Sequence, residues 1–317
     1  MKITFWGVRG SIACAAKTHL RYGGNTPCVE IAAGGEHLVF DAGTGIRPLG
    51  LDFLREDRRH GTLLLSHTHW DHIQGFPFFA PAFDPKRSFR ILAGHLSPQS
   101  GGIRSVLAGQ MAEPNFPVPL DIMRGSLMFE DFRAGDAFEL APGVRVKTTP
   151  LHHPNGATGY RIEHGGAAVC YVTDTEHRLG TLDQNVLGLI EGADLLIYDS
   201  TYSDEEFPSK VGWGHSTWQE GVRLCLAANV RRLAIFHHEP DHDDRFMAQV
   251  ERDAHRLFPN SFVAREGQVV EVRRRDRSHA IAVPARSEDA RCTEAAEPRR
   301  RPRASSTRPS KPPKVGP

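Results

Sequence analysis

Four candidate metal ligands crowd into six residues of this chain: His67, His69, Asp71 and His72, in the run Ser66-His67-Thr68-His69-Trp70-Asp71-His72. The run follows Leu63-Leu64-Leu65, an apolar triplet that reads as a buried strand. A loop held at a strand end can aim alternate side chains at one ion and their neighbours at a second. Imidazole and carboxylate suit zinc, and no cysteine stands in the run. A lone His-x-His pair would read as a polar turn; this density behind a buried strand reads as a metal site.

Around that run, residues 3–6, 28–32 and 37–41 read as strands, the last two joined at Gly34-Gly35, a hairpin signal. Residues 46–55 are expected to be helical. Residues 144–149, 159–162 and 168–172 read as strands, with His164-Gly165-Gly166 turning between the last two. Residues 195–198 and 233–236 are short apolar strands. Between them, Ser216-Thr217-Trp218-Gln219 fits a capping box opening a helix to about Ala228. Asp243-Asp244 starts another helix, with Phe246, Val250, Ala254 and Leu257 on one face. Residues 262–264 and 269–272 close the domain as strands. Residues 97–128, rich in Pro, Gly and Met, read as an insertion or a lid. This order suits an α/β sandwich of two mixed sheets with helices outside.

The histidine-rich run resembles the signature of the metallo-β-lactamase superfamily, and residues 1–272 follow that family's order. The resemblance implies an αββα fold and three further ligands at strand ends. These are matched by His153 in Leu151-His152-His153-Pro154, Asp174 in Tyr171-Val172-Thr173-Asp174, and His237 in Ile235-Phe236-His237. It assigns His67, His69 and His153 to one ion, Asp71, His72 and His237 to the other, and Asp174 to both. His152 and His238 stand beside two of these ligands and compete for their places; the loser of each pair is expected to support a ligand or to face substrate. Asp41, in Phe40-Asp41-Ala42-Gly43, matches the family's early aspartate. That carboxylate would accept the free N–H of a ligand histidine, unless it only caps the turn at Gly43. The implied cofactor is a pair of Zn2+ ions, with Mn2+ or another divalent ion as the alternative.

Two such metals, ~3.5–4 Å apart, lower the pKa of a shared water toward ~7, and the hydroxide so formed attacks. Aspartate at position 174, where many lactamases carry cysteine, argues against the β-lactam-cleaving branch. Gly159-Tyr160-Arg161 and Gly214-His215-Ser216-Thr217 resemble the ribonuclease Z and cyclic-phosphodiesterase branch. There the histidine matched by His215 serves as general acid, a role worth ~10²–10⁴-fold for an alkoxide leaving group; Asp71 joins it as a catalytic candidate. Gly7-Val8-Arg9-Gly10-Ser11, Tyr22-Gly23-Gly24-Asn25-Thr26 and Ile73-Gln74-Gly75-Phe76-Pro77 resemble bacterial proteins related to the phosphonate-pathway cyclic phosphodiesterase. Arg9 and Arg161 are candidate phosphate clamps, and Gly23-Gly24 either a backbone cradle for phosphate or a plain tight turn.

Charge separates the functional readings. The chain has a formal net charge of +1, but residues 273–317 carry thirteen Lys/Arg against five Asp/Glu, which leaves −7 on residues 1–272. That tail is rich in Arg, Pro, Ser and Ala and is expected to be disordered. An acidic body grips polyanions poorly. The leading expectation is therefore a phosphodiesterase for a small cyclic phosphate or cyclic nucleotide. The alternatives are a nuclease of transfer-RNA 3′ ends, a thioester or lactone hydrolase, and a metal-dependent binding module without catalysis. Nucleic acid could be held only through the tail, and a homodimer is left open. Five cysteines without a CxxC pair, and no apolar run near the ~20 residues of a membrane span, point to the cytoplasm and away from membranes.

Overall fold

The computed structural model describes residues 1–96 and 101–274. The chain opens with β1 (Lys2–Gly7), β2 (Cys28–Ala33), β3 (Glu36–Phe40), β4 (His60–Leu65), β5 (Ser88–Ala93) and β6 (Ser126–Asp131). A second series follows: β7 (Ala137–Ala141), β8 (Val144–Leu151), β9 (Ala157–His164), β10 (Ala167–Val172), β11 (Leu195–Asp199), β12 (Leu233–Phe236) and β13 (Ser261–Val263). The last strand, β14 (Val269–Glu271), returns to the first sheet. Each sheet has seven strands, ordered β14-β1-β2-β3-β4-β5-β6 and β13-β12-β11-β10-β9-β8-β7. Both are mixed: β3 to β6 run parallel in the first, β10 to β13 in the second.

The sheets pack face to face through Ile3, Phe5, Phe40 and Leu64 on one side and Tyr160, Val169, Tyr171 and Phe236 on the other. Helices cover the outer faces. On the first lie α1 (Ile46–Arg55) and α3 (Gly102–Gln110); α2 (Trp70–Ile73) is the single turn inside the histidine run. On the second lie α4 (Gln184–Ile190), α5 (Trp218–Ala227) and α6 (Asp244–Leu257). This is the expected αββα sandwich. Covering both faces explains why every residue of β10 and β11 is buried, whereas β8 alternates buried Val144 and Val146 with exposed Arg145 and Lys147.

Several local expectations change. Residues 101–128 are no lid: Ile103, Leu107, Met111, Leu120 and Met123 are buried in the core under the first sheet, and Ser126 begins its edge strand. The apolar spacing that marks α3 was masked by its Gly and Ser content. The helix over 218–227 is capped by Thr217, whose Oγ accepts the Glu220 N–H at 3.1 Å, while Ser216 hydrogen-bonds inward to Tyr198 and His177. On α6, Val250 and Ala254 face the core together with Met247, but Phe246 and Leu257 are exposed. The described cysteines, Cys14, Cys28, Cys170 and Cys225, are free thiols. No helix among the described residues is long and apolar enough to cross a membrane. The described residues belong to one compact unit; the tail expected to be disordered falls, from residue 275 on, outside them.

Candidate functional site

The carboxyl ends of β3, β4, β8, β10, β11 and β12 deliver polar residues to one end of the sandwich, the place where open parallel sheets hold ligands. Asp41 and His237, directly behind their strands, and Asp174, two residues beyond the end of β10, adopt left-handed backbone angles (φ 61°, 63° and 55°). Such angles cost a non-glycine residue on the order of 1 kcal/mol or more and recur where function fixes the chain. A Cβ on Gly10 would lie 2.4 Å from the His237 ring, so the N-terminal loop passes the site only as glycine.

The seven sequence-derived ligand residues come together. His67, His69 and His153 offer nitrogens within 4.8 Å of one another, and the ligand atoms of Asp71, His72 and His237 form a second such group. Asp174 lies between them. One of its oxygens, Oδ1, is 3.2 Å from His72 Nε2 and 3.3 Å from His237 Nε2. The other, Oδ2, is 3.6 Å from His67 Nε2 and 3.7 Å from His153 Nε2. Asp71 Oδ2 lies 3.2 Å from His72 Nε2 and 3.3 Å from His237 Nε2.

The surrounding hydrogen bonds fix which nitrogen faces inward. His72 donates its Nδ1–H to Asp41 at 2.8 Å, and Asp41 also accepts the Ser66 N–H and Oγ–H and the Tyr171 hydroxyl. Ser66 Oγ, having donated to Asp41, accepts from His67 Nδ1 at 3.0 Å. His153 donates to the Gly214 carbonyl at 2.7 Å. Thr201, which donates to Asp199, accepts from His237 Nδ1 at 3.0 Å. The four Nε2 atoms therefore present lone pairs toward each other and toward two carboxylates. His67 Nε2 is buried without any hydrogen-bond partner. Lone pairs converging on lone pairs in a buried space favour a cation among them, and the nitrogen and oxygen donors suit zinc.

Burial, reinforced by His72, keeps the His67 imidazole well below its usual pKa and hence neutral. Burial opposes the charges on Asp71 and Asp174, but the flanking imidazoles outweigh it and hold both well below the ordinary carboxylate range. Around His72, Asp71, Asp174 and Asp41 overcome burial and favour positive charge, whether as a second ring proton or as a cation beside the ring.

His215 stands at the edge of this cluster, its ring stacked on His237 with centroids 5.0 Å apart. Its Nδ1 donates to Asp199 at 3.1 Å. Burial pushes its pKa down, but the Asp199 carboxylate more than offsets this and raises it to about 9. Asp199 is the residue of this cluster that sequence reasoning missed. It closes an apolar strand as Asp41 and Asp174 follow theirs, and that shared position was the available signal.

Other sequence candidates go elsewhere. His152 is exposed, and His238 turns away to the Ala264 carbonyl at 2.9 Å; neither supports a ligand. Arg9 is fully buried and spends its guanidinium on the carbonyls of Gly23, Glu239 and His242. Arg161 binds Glu163 and the carbonyls of Leu189 and Glu191. Both are structural ties, because each guanidinium is already occupied by acceptors of the protein itself. Gly23-Gly24 is a tight turn: the next amide, of Asn25, is already taken by Glu266, and a Cβ on Gly24 would meet the Cys14 carbonyl at 1.9 Å.

Comparison with known proteins gives a consistent picture. Residues 36–238 match the family model described as Beta-lactamase superfamily domain. A Ribonuclease Z of Bradyrhizobium sp. (strain ORS 278) is 25% identical over 310 residues, spanning 83% of this chain and 97% of its own length. Among solved structures, the metallo-β-lactamase fold protein YhfI of Bacillus subtilis superposes with a TM-score of 0.63 at 18% identity, covering 85% of this chain and 98% of its own. A diphosphatase of the PhnP family superposes with a TM-score of 0.61 at 19% identity, covering 85% of this chain and 97% of its own.

Proposed function

The chain belongs to the metallo-β-lactamase superfamily, and from that premise we propose that it is a binuclear metal-dependent hydrolase of phosphodiesters. The observation that carries this reading is Asp174, whose two oxygens face two separate sets of histidines. His67, His69 and His153 would hold one ion; Asp71, His72 and His237 the other; Asp174 both. When bound, the pair supplies Lewis acidity toward a phosphoryl oxygen and a water of lowered pKa. The chain's own residues do the rest. Asp41, Gly214 and Thr201 fix the ligand tautomers. His215, its Nδ1–H committed to Asp199, keeps Nε2 for the substrate and gives a proton to the departing alkoxide. A thiol or an activated ester would not need that donor, which favours phosphodiesters over thioesters.

The substrate reading shifts from the one charge alone suggested. The relatives named Ribonuclease Z match most of the chain and nearly all of their own length, which supports an RNA 3′ end ahead of a small cyclic phosphate. The small-diester reading keeps one observation in its favour. Residues 101–128 anchor their main apolar side chains in the core and carry only two cations, Arg104 and Arg124, of which Arg104 is paired with Asp121 at 2.8 Å, so they form no basic arm to grip RNA. The proposed catalytic domain ends at Val272, and a chain cut after Arg273 should keep turnover on small esters.

The test is a panel with zinc supplied: bis-p-nitrophenyl phosphate, a cyclic nucleotide, a 3′-extended transfer-RNA precursor, and a thioester and a lactone. Phosphodiester turnover with close to two metal equivalents per chain is expected. Faster cleavage of the thioester or lactone, or no more than one equivalent after reconstitution, would remove the proposal. The precursor and the cyclic nucleotide rank the two substrate readings.

A further inference from the structure

The segment between Asp199 and His215 carries a cation for which the chemistry above has no use. The Lys210 ammonium lies over two aromatic rings, 4.6 Å from the Trp213 centroid and 5.3 Å from that of Tyr202. Glu239 senses its charge, yet among the described residues no carboxylate forms an ion pair with it. Tyr202 in turn stands edge-on to His215, with centroids 6.0 Å apart. Lys210 is thus one aromatic ring removed from the proposed general acid. In a body whose formal charge is negative, an unpaired cation beside the site attracts anions locally.

The segment is also pinned. Glu176 accepts the amides of Gly212 and Gly214 at 2.7 and 2.8 Å. The Trp213 amide donates to the Lys210 carbonyl at 3.1 Å, and the Gly214 carbonyl holds His153. Within this fastened turn the Trp213 side chain is 61% exposed. An indole left that open on a rigid turn adds little to the core. It is placed to stack on a planar group, as exposed aromatics do on single-stranded nucleic acids.

We propose that Lys210, Tyr202 and Trp213 bind the nucleotide unit next to the scissile phosphate: Lys210 takes that unit's phosphate and Trp213 stacks its base. This rests on the phosphodiesterase reading and narrows its substrate to one carrying a second phosphate and a base. The scissile phosphate itself must meet His215. The Tyr202 ring separates Lys210 from that point, so the ammonium meets a neighbouring phosphate instead. The site supplies the cation that Arg9 and Arg161, both consumed by carbonyls, do not.

Three chromogenic esters test it in the zinc-loaded full chain: bis-p-nitrophenyl phosphate, thymidine 5′-(p-nitrophenyl phosphate), and the latter carrying a 3′-phosphate. Lys210→Met should raise KM for the 3′-phosphorylated ester about tenfold more than for the unphosphorylated one, the scale of one charge-assisted contact. Lys210→Arg should restore most of the difference. Trp213→Ala should raise KM for both thymidine esters roughly tenfold more than for bis-p-nitrophenyl phosphate, within the range of a lost base stack. Calorimetric affinity for thymidine 3′,5′-bisphosphate should fall in both Lys210→Met and Trp213→Ala, with metal content intact. Because that titration needs no turnover, it reads the binding site even if the diesters prove not to be substrates. Equal KM shifts across the three esters, or unchanged bisphosphate affinity in both variants, would overturn the proposal.

Discussion

The two halves of the site are built in opposite ways. The first sheet delivers His67, His69, Asp71 and His72 from one loop behind β4, and a single carboxylate, Asp41, organises that loop through His72 and both Ser66 groups, itself held by the hydroxyl of Tyr171 on β10. The second sheet delivers His153, Asp174, Asp199, His215 and His237 from separate strand ends and the approach to α5, and their supports are scattered over Gly214, Thr201 and Asp199. One half is local in sequence; the other exists only when β8, β10, β11 and β12 are in register. They meet at Asp174. Metal bound by both halves would therefore be coupled to the packing of one sheet on the other, so that its binding free energy would add to folding free energy.

The largest effect should come from removing that meeting point. Asp174→Ala deletes the carboxylate shared by both groups of histidines, so the chain should lose both ions on dialysis and its diester hydrolysis should fall to background. Elemental analysis and turnover measure this together. Two equivalents retained with activity intact would show that the halves bind independently.

His215→Ala tests the scattered half where no ligand is touched. Turnover of a diester with a poor alkoxide leaving group should fall ~10²-fold or more. Bis-p-nitrophenyl phosphate, whose leaving group needs no proton, should be affected far less, and metal content should hold. Metal loss would make His215 a ligand. Equal losses on both esters would point to substrate binding or to the placement of α5.

The same contrast explains what could be read from the sequence. The local half was legible because its four ligands fall within six residues behind an apolar strand, and that density means little else. The scattered half was legible only through its order along the chain: His153, Asp174 and His237 stood out because they match the family's ligand order, but Asp199 did not, because an aspartate at a strand end is common without that match. Arg9 and Arg161 misled for the opposite reason. An arginine in a suggestive segment looks available until the carbonyls that consume it are in place. Residues 101–128 were misjudged because Gly and Pro punctuation hid the pairing of Ile103 with Leu107, whose burial depends on a sheet edge formed later in the chain.

Asp41→Ala sharpens the comparison from the local side. It frees the Nδ1 of His72 and the Ser66 hydroxyl behind His67, so metal affinity should weaken by ~10–100-fold, the usual scale for such supporting carboxylates. The ion held by Asp71, His72 and His237 should leave first, because His72 loses its direct partner while His67 keeps Ser66. Competition with a chromogenic chelator measures the two steps. A uniform loss of both ions would mean that Asp41 organises the loop as a unit.

The smallest and most specific effect belongs to Asp199→Asn, which keeps the shape of the His215 contact and removes its charge. In His215 burial works against the charged ring, and Asp199 outweighs it to bring the pKa to about 9. A general acid must be protonated, so activity on an alkoxide ester declines as pH rises through that pKa. Without the Asp199 charge burial prevails, the pKa drops, and the alkaline decline should begin at lower pH, with the acidic side of the profile changed least. Bound cations would lower the His215 pKa in wild type and variant alike, so the difference between the two profiles survives metal loading. Bis-p-nitrophenyl phosphate supplies the internal control, since its profile does not require the acid. An unchanged alkaline limb for the alkoxide ester would mean that Asp199 orients His215 without setting its proton affinity.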